Sequence, residues 1–139
     1  MQLYIDSGSI PPRFISEPTF KSQIESLQFK RGDSAYINLN FVDGNTSLSA
    51  VSGIQIIFGA KLAGDYDGSL VVATSGYNIV NNSYQFSPNF NTTVINSYLS
   101  GDASSLTLHG EITWSKDDGA TWTTTQEIPI VVTNDIIKL

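Results

Sequence analysis

From residue 23 onward the apolar positions recur every second residue, the period of strands that bury one face. Ile24 to Lys30 reads as a short strand, with a turn at Arg31-Gly32-Asp33. In Ser34 to Val42, Ala35, Ile37, Leu39 and Phe41 share one face, and Tyr36, Asn38 and Asn40 share the other. Asp43-Gly44-Asn45 turns the chain. Ile54 to Leu62 is the most apolar stretch, with Ile54, Ile56, Phe58, Ala60 and Leu62 in register, and is expected as a central strand. A polar loop, Ala63 to Ser69, leads to a short strand at Leu70 to Thr74. Tyr77 to Val80 and Tyr84 to Ser87 are expected to pair across Asn81-Asn82-Ser83. One short helix is expected near residues 92–99, capped by Asn91 or Thr92 and closed by Gly101. The last hairpin sets Leu106, Leu108, Gly110, Ile112 and Trp114 on one face. Trp122, Thr124, Gln126, Ile128, Ile130 and Val132 alternate on its return strand. Together these elements predict an all-β, immunoglobulin-like antiparallel β-sandwich of about seven or eight strands.

Residues 1–22 break this rhythm. Ser7-Gly8-Ser9, Pro11-Pro12 and Pro18 interrupt any regular element, because proline lacks the ladder N–H and restricts its predecessor. Yet Leu3, Tyr4, Ile5, Phe14, Ile15 and Phe20 are too apolar for a solvated tail. The segment reads as an extended arm at 1–22 that lies on its own sandwich or on a neighbouring subunit, with 23–139 as the single sandwich domain. Leu3, Tyr4, Ile5, Phe14 and Phe20 are its candidate assembly residues.

Composition narrows the function classes. The 139 residues carry 7 Lys+Arg against 13 Asp+Glu, a net charge of −6, and only 14% charged residues. Scattered basic residues leave no footprint for nucleic acid, which needs clustered Lys and Arg. No apolar run approaches the roughly 18 residues of a membrane helix, and Met1 to Asp6 lacks the pattern of a signal peptide. Synthesis in a cytoplasm is expected. With Cys 0 and His 1, disulfides, thiolate chemistry and multi-His metal sites drop out, and no cofactor is expected.

Four short motifs suggest chemistry, and each has a local explanation. Ser115-Lys116-Asp117-Asp118-Gly119-Ala120-Thr121-Trp122 fits the Asp-box pattern of sialidases. In it Asp117 accepts turn N–H bonds, Gly119 supplies positive φ and Trp122 is expected to pack beneath the hairpin. One box and two arginines, Arg13 and Arg31, do not make a sialidase. Arg31-Gly32-Asp33 matches the integrin tripeptide but also suits a tight turn. Asp65-Tyr66-Asp67-Gly68 opens like a calcium loop yet lacks the later carboxylates. His109 and Glu111 share the strand face opposite Leu108 and Ile112, with no nucleophile assignable from spacing.

The order of the pieces carries a resemblance. Phe29-Lys30-Arg31-Gly32-Asp33-Ser34 leads into an alternating strand; Ile56 to Lys61 is followed by Gly64 to Gly68; Ser87 to Thr92 precedes the helix. Leu108 to Trp114 and Ile128 to Asp135 close the chain. This layout, over about residues 24–137, resembles small tail-associated proteins of bacteriophages and prophages. It is similar to the N-terminal immunoglobulin-like domain of phage baseplate upper proteins. The resemblance implies a non-enzymatic virion structural role, with other virion proteins and further copies of the chain as partners. It implies no catalytic residues. A tail, baseplate or fibre adaptor, or an accessory subunit, is the expected role.

Two other classes compete. A carbohydrate-binding module would present aromatic platforms, for which Tyr36, Tyr66, Tyr77, Tyr84 and Tyr98 are candidates; Trp114 and Trp122 are expected to pack on each other or on the core. A hydrolase would have to rest on turn carboxylates such as Asp65 and Asp67, or Asp117 and Asp118, which are normally solvated there.

Overall fold

The structure, a computed structural model, describes residues 1–33 and 36–135. Ser34 and Ala35, and the last four positions of the chain, lie outside the described residues. The described residues form twelve strands: β1 (Gln2–Asp6), β2 (Arg13–Ile15), β3 (Leu27–Lys30), β4 (Ile37–Asp43), β5 (Thr46–Ser47) and β6 (Gln55–Leu62). The rest are β7 (Val72–Thr74), β8 (Asn78–Val80), β9 (Ser83–Phe86), β10 (Ser105–Ser115), β11 (Thr123–Thr124) and β12 (Ile128–Thr133). A helix, α1 (Thr93–Tyr98), lies between β9 and β10.

They form an all-β sandwich of two mixed sheets. The first has the order β2-β1-β4-β9-β8, with β5 on β4; the second runs β3-β12-β10-β6-β7, with β11 on β10. Most pairs are antiparallel, but β1 lies parallel to β4 and β3 parallel to β12. The chain visits the sheets alternately, so its crossings stitch the layers together. Ile37, Leu39 and Phe41 of β4 face Ile56, Phe58 and Ala60 of β6 and Leu108, Ile112 and Trp114 of β10 in one buried cluster. Burying aliphatic and aromatic side chains at about 1.5–3 kcal/mol each is the main stabilising term.

The expected strands are all present. The additional ones are β1 and β2, the two-residue β5, and β11, which is split from β12. The helix follows the expected signals: Thr92 caps it by accepting from Ile95 N–H at 3.3 Å, and Gly101 has φ +72°. Asn134 Nδ2 donates to the Leu99 carbonyl (2.7 Å), a group that the helix end leaves orphaned, and to the Ala103 carbonyl (3.0 Å) in the connection to β10. Phe90, leading into the helix, stacks on Phe29 at 4.3 Å, and Ile95 and Leu99 are fully buried in the same core cluster.

The segment 1–22, expected as an arm on its own sandwich or on a neighbouring subunit, contributes two strands to the first sheet. Leu3 and Ile5 are fully buried, and Phe14 nearly so. β1 pairs with both β2 and β4, which makes it an interior strand of the first sheet. The α-amine of Met1 donates to the Tyr36 carbonyl at 3.0 Å, and the Met1 carbonyl accepts from Asn38 N–H at 2.9 Å. Prolines are tolerated because they fall in the β1–β2 connection and the turn after β2, outside the ladder. Pro12 even contributes its carbonyl, accepting from Gln126 N–H at 2.8 Å.

Ile5→Ala is therefore expected to cost about 2–5 kcal/mol, the range for a large-to-small change in a packed core. Phe20→Ala, at a side chain 84% exposed, should stay within about 0.5 kcal/mol. Urea denaturation of the two variants checks both, and equal effects would contradict the core placement of β1.

Candidate functional site

The outer face of the second sheet is shaped by one irregularity. Thr124 pairs with Thr113 and Ile128 with Gly110. Between these pairs, Glu111 and Ile112 on β10 face Thr125, Gln126 and Glu127, one residue more. This is a β-bulge, which reverses the inside–outside alternation and re-aims side chains. Ile128, Ile130 and Val132 consequently point into the core, while Thr124 belongs with the outer face. Thr125 is 5% exposed and repairs the broken ladder. Its N–H donates to the Ile112 carbonyl at 3.0 Å, and its Oγ1 accepts from Ile112 N–H at 3.1 Å.

The bulge delivers Glu127 to the outward row of β6 and β10. In that row Lys61 lies opposite His109, Gly59 opposite Glu111 and Ile57 opposite Thr113. The 63–71 loop folds back over it. Leu70 sits on Gly59, where an added Cβ would meet Leu70 Cδ2 at 3.1 Å. Tyr66 reaches across and its hydroxyl donates to Glu127 Oε2 at 3.0 Å, while His109 Nδ1 lies 3.2 Å from the same oxygen. Lys61 Nζ donates to the Tyr66 carbonyl at 2.7 Å. The Glu127 carboxylate holds the Tyr66 phenol above its ordinary pKa, first by accepting its hydrogen bond and then by charge. A groove of about 240 Å³ opens between loop and sheet, lined by Ile57, Gly59, Leu70, Tyr66, Glu111 and Glu127 among others.

Of these groups, His109 and Glu111 carry the expected outward-facing pair. Lys61, Leu70 and Glu127 are missed by sequence reasoning. The alternation from Trp122 to Val132 runs unbroken through the bulge, and no residue in it signals the extra position. Trp122 is 43% exposed, with its Cζ2 3.8 Å from where a Cβ on Gly119 would lie, while Trp114 is buried against Phe41 at 4.8 Å.

The rest of the Asp-box turn forms as its residues dictate. Asp117 Oδ1 accepts from Ser115 Oγ at 2.7 Å and Thr121 N–H at 2.9 Å, and Thr121 Oγ1 donates to Oδ2. Asp118 and Gly119 take positive φ, 58° and 86°, and Asp118 accepts from Gln55 Nε2 of β6 at 3.1 Å. Donors, those of Thr121 foremost, draw the Asp117 pKa down to about 2. Both carboxylate oxygens of Asp117 are engaged within the turn.

The five tyrosines expected as candidate platforms separate into two groups. Tyr84 is buried and its hydroxyl accepts from Val51 N–H at 2.9 Å. Half-buried Tyr77 donates to the Ile54 carbonyl at 2.6 Å and stands edge-on to Tyr84 at 5.1 Å. Both hold the 44–54 connection to the first sheet. Tyr36, Tyr66 and Tyr98 are exposed, and of these Tyr66 alone lines the groove. Among the proposed assembly residues, Leu3, Ile5 and Phe14 are core, Tyr4 is half-buried and Phe20 is exposed.

No protein-family model matches the sequence, and no curated protein does. Among solved structures, the chain is similar to the N-terminal domain of phage TP901-1 ORF48, at 12% identity and a TM-score of 0.46, covering 95% of this chain and 96% of that one.

Two outcomes follow from these contacts. Thr125→Val removes the acceptor for a buried N–H and should cost about 1–3 kcal/mol, whereas Thr125→Ser keeps it and should cost less; urea unfolding compares them. A carboxyl with its pKa depressed in the fold stabilises it above the unfolded value and loses that effect as pH falls through the folded one. For Asp117 the window runs from 3.8 down to about 2. The carboxyl resonance should titrate in that range, and Asp117→Asn should flatten the acid limb of stability there.

Proposed function

We propose that the chain is a non-enzymatic structural domain of a phage virion, a tail, baseplate or fibre adaptor or accessory subunit. Its partners in this reading are other virion proteins and further copies of itself, and its location is the particle. The layout of motifs from Phe29 to Asp135 supports the reading. The observation that carries the assembly surface is the presentation of large apolar side chains beside the β2 edge of the first sheet. Phe20 is 84% exposed and Ile10 is 98% exposed. Phe20 does not dangle. Glu17 accepts from the N–H groups of Thr19 (2.9 Å) and Phe20, which fixes the turn and lowers the Glu17 pKa. We read this apolar group, held into water on a built turn, as part of the contact surface.

The arm residues therefore divide by role. Leu3, Ile5 and Phe14 build the sandwich, and the contact surface passes to Phe20 and Ile10, with Tyr4 at its margin. The opposite edge of that sheet, β8, leaves Ile79 and Val80 exposed as well, and an open edge can pair with another chain.

Light scattering behind size exclusion, across a range of concentrations, tests this. The expected result is a discrete oligomer, because homo-oligomers close by point-group symmetry. Burying each apolar side chain contributes about 1.5–3 kcal/mol. The Ile10→Ser/Phe20→Ser double variant should thus weaken assembly by about 100-fold or more with unchanged thermal stability. A strict monomer at every concentration would remove self-assembly from the reading.

A further inference from the structure

We propose that the groove between the 63–71 loop and the outer face of β6 and β10 binds one neutral hexopyranose ring. This goes beyond the virion reading and does not depend on it. Small-ligand sites are concave, mostly apolar, and carry a few convergent polar groups, and this groove has that makeup. Its apolar surfaces come from Leu70, Ile57 and the Tyr66 ring, and Gly59 lets Leu70 pack directly on the sheet at its floor. Its volume, about 240 Å³, falls just below the roughly 300–1,000 Å³ of drug-sized pockets, which limits the occupant to about one ring.

The polar groups select the class of ligand. Glu111 is exposed and has no hydrogen-bond or ion-pair partner among the described residues. An ionised carboxylate only accepts hydrogen bonds, and an ammonium only donates them. Glu111 and the second oxygen of Glu127 supply acceptors, while Lys61 has two donors left after the one used on Tyr66. A sugar hydroxyl donates and accepts at once, so a ring carrying several of them fits acceptors and donors set side by side. Its C–H face suits Leu70 and Tyr66. Charge argues against anions, because Asp65, Glu111 and Glu127 outnumber Lys61 and His109 in the lining.

The outer face of the other sheet gives the contrast. There Asn40 accepts from Ser83 (2.6 Å) and donates to Gln2 (3.0 Å), and Gln85 donates to Asn38 (3.0 Å). Those amides satisfy each other, whereas Glu111 is left for a ligand.

Amide NMR titration of the full chain with glucose, galactose, mannose and N-acetylglucosamine tests the proposal, with glucuronate and choline as charged controls. Tryptophan emission is the wrong probe, since neither tryptophan lines the groove. At least one neutral sugar should give saturable shifts at the amides of Gly59, Lys61 and Glu111, with a Kd in about the millimolar range. Tyr66→Ala and Glu111→Gln, both at exposed side chains, should each weaken it about tenfold while the remaining spectrum stays native. The proposal is overturned if no neutral sugar moves these amides, if glucuronate or choline binds as well as the sugar, or if folded variants bind like the parent. Such a failure would leave the oligomeric state, and the virion reading with it, unaffected.

Discussion

The parallel pairing of β1 with β4 is the constraint on which the first sheet depends. Five register pairs, from Gln2 with Asn38 to Asp6 with Val42, place Leu3 beside Leu39 and Ile5 beside Phe41. Without β1, β4 would lose a whole side of hydrogen bonds, and β2 would keep only its contacts with the 22–24 segment. Parallel strands need a long crossover, and here β3 supplies it by pairing with β12 in the opposite sheet. The N-terminal segment is thereby committed to both layers before the central strands are reached. Its apolar residues cannot serve a core and a neighbouring subunit at once, and the core takes the better-placed ones.

The bulge at Thr125 to Glu127 plays the corresponding part in the second sheet. An extra residue in a strand costs a ladder bond, and the Thr125 hydroxyl restores a partner for Ile112 N–H. The gain is positional. With the alternation reversed, Ile128 turns inward over Gly110, where a Cβ would collide with Ile130 Cδ1 at 2.3 Å. Glu127 turns outward to meet Tyr66 and His109. The same step that closes the core thus anchors the loop that walls the groove. The register and the groove are consequences of one backbone irregularity.

How far the sequence discloses this follows from the range of the interactions. Alternation over Ile37 to Phe41 and Ile54 to Ala60 identifies the core face because each strand carries its own pattern. The helix is legible through Thr92 and Gly101, which act within one turn, and so is the hydrogen bonding of Asp117. β1 is obscure because only Leu3 and Ile5 alternate in it, and its partner lies 36 residues away. Tyr84 looks like an exposed aromatic until Val51 N–H is seen to bond its hydroxyl. Glu127 is obscure for another reason: a bulge conserves the spacing of apolar residues on paper while changing which face they occupy.

The arrangement also separates the two surfaces proposed here. The groove lies on the outer face of the second sheet, walled by a loop tied down through Lys61, Tyr66 and Glu127. Phe20 and Ile10 flank an edge strand of the first sheet, and the turn that holds Phe20 is fixed by Glu17. No residue of that edge lines the groove. Burying one surface in an assembly would therefore leave the other open to solvent. A subunit docked by its β2 edge could keep a sugar-sized groove facing outward, and docking and recognition would then be independent events carried on opposite layers of one sandwich.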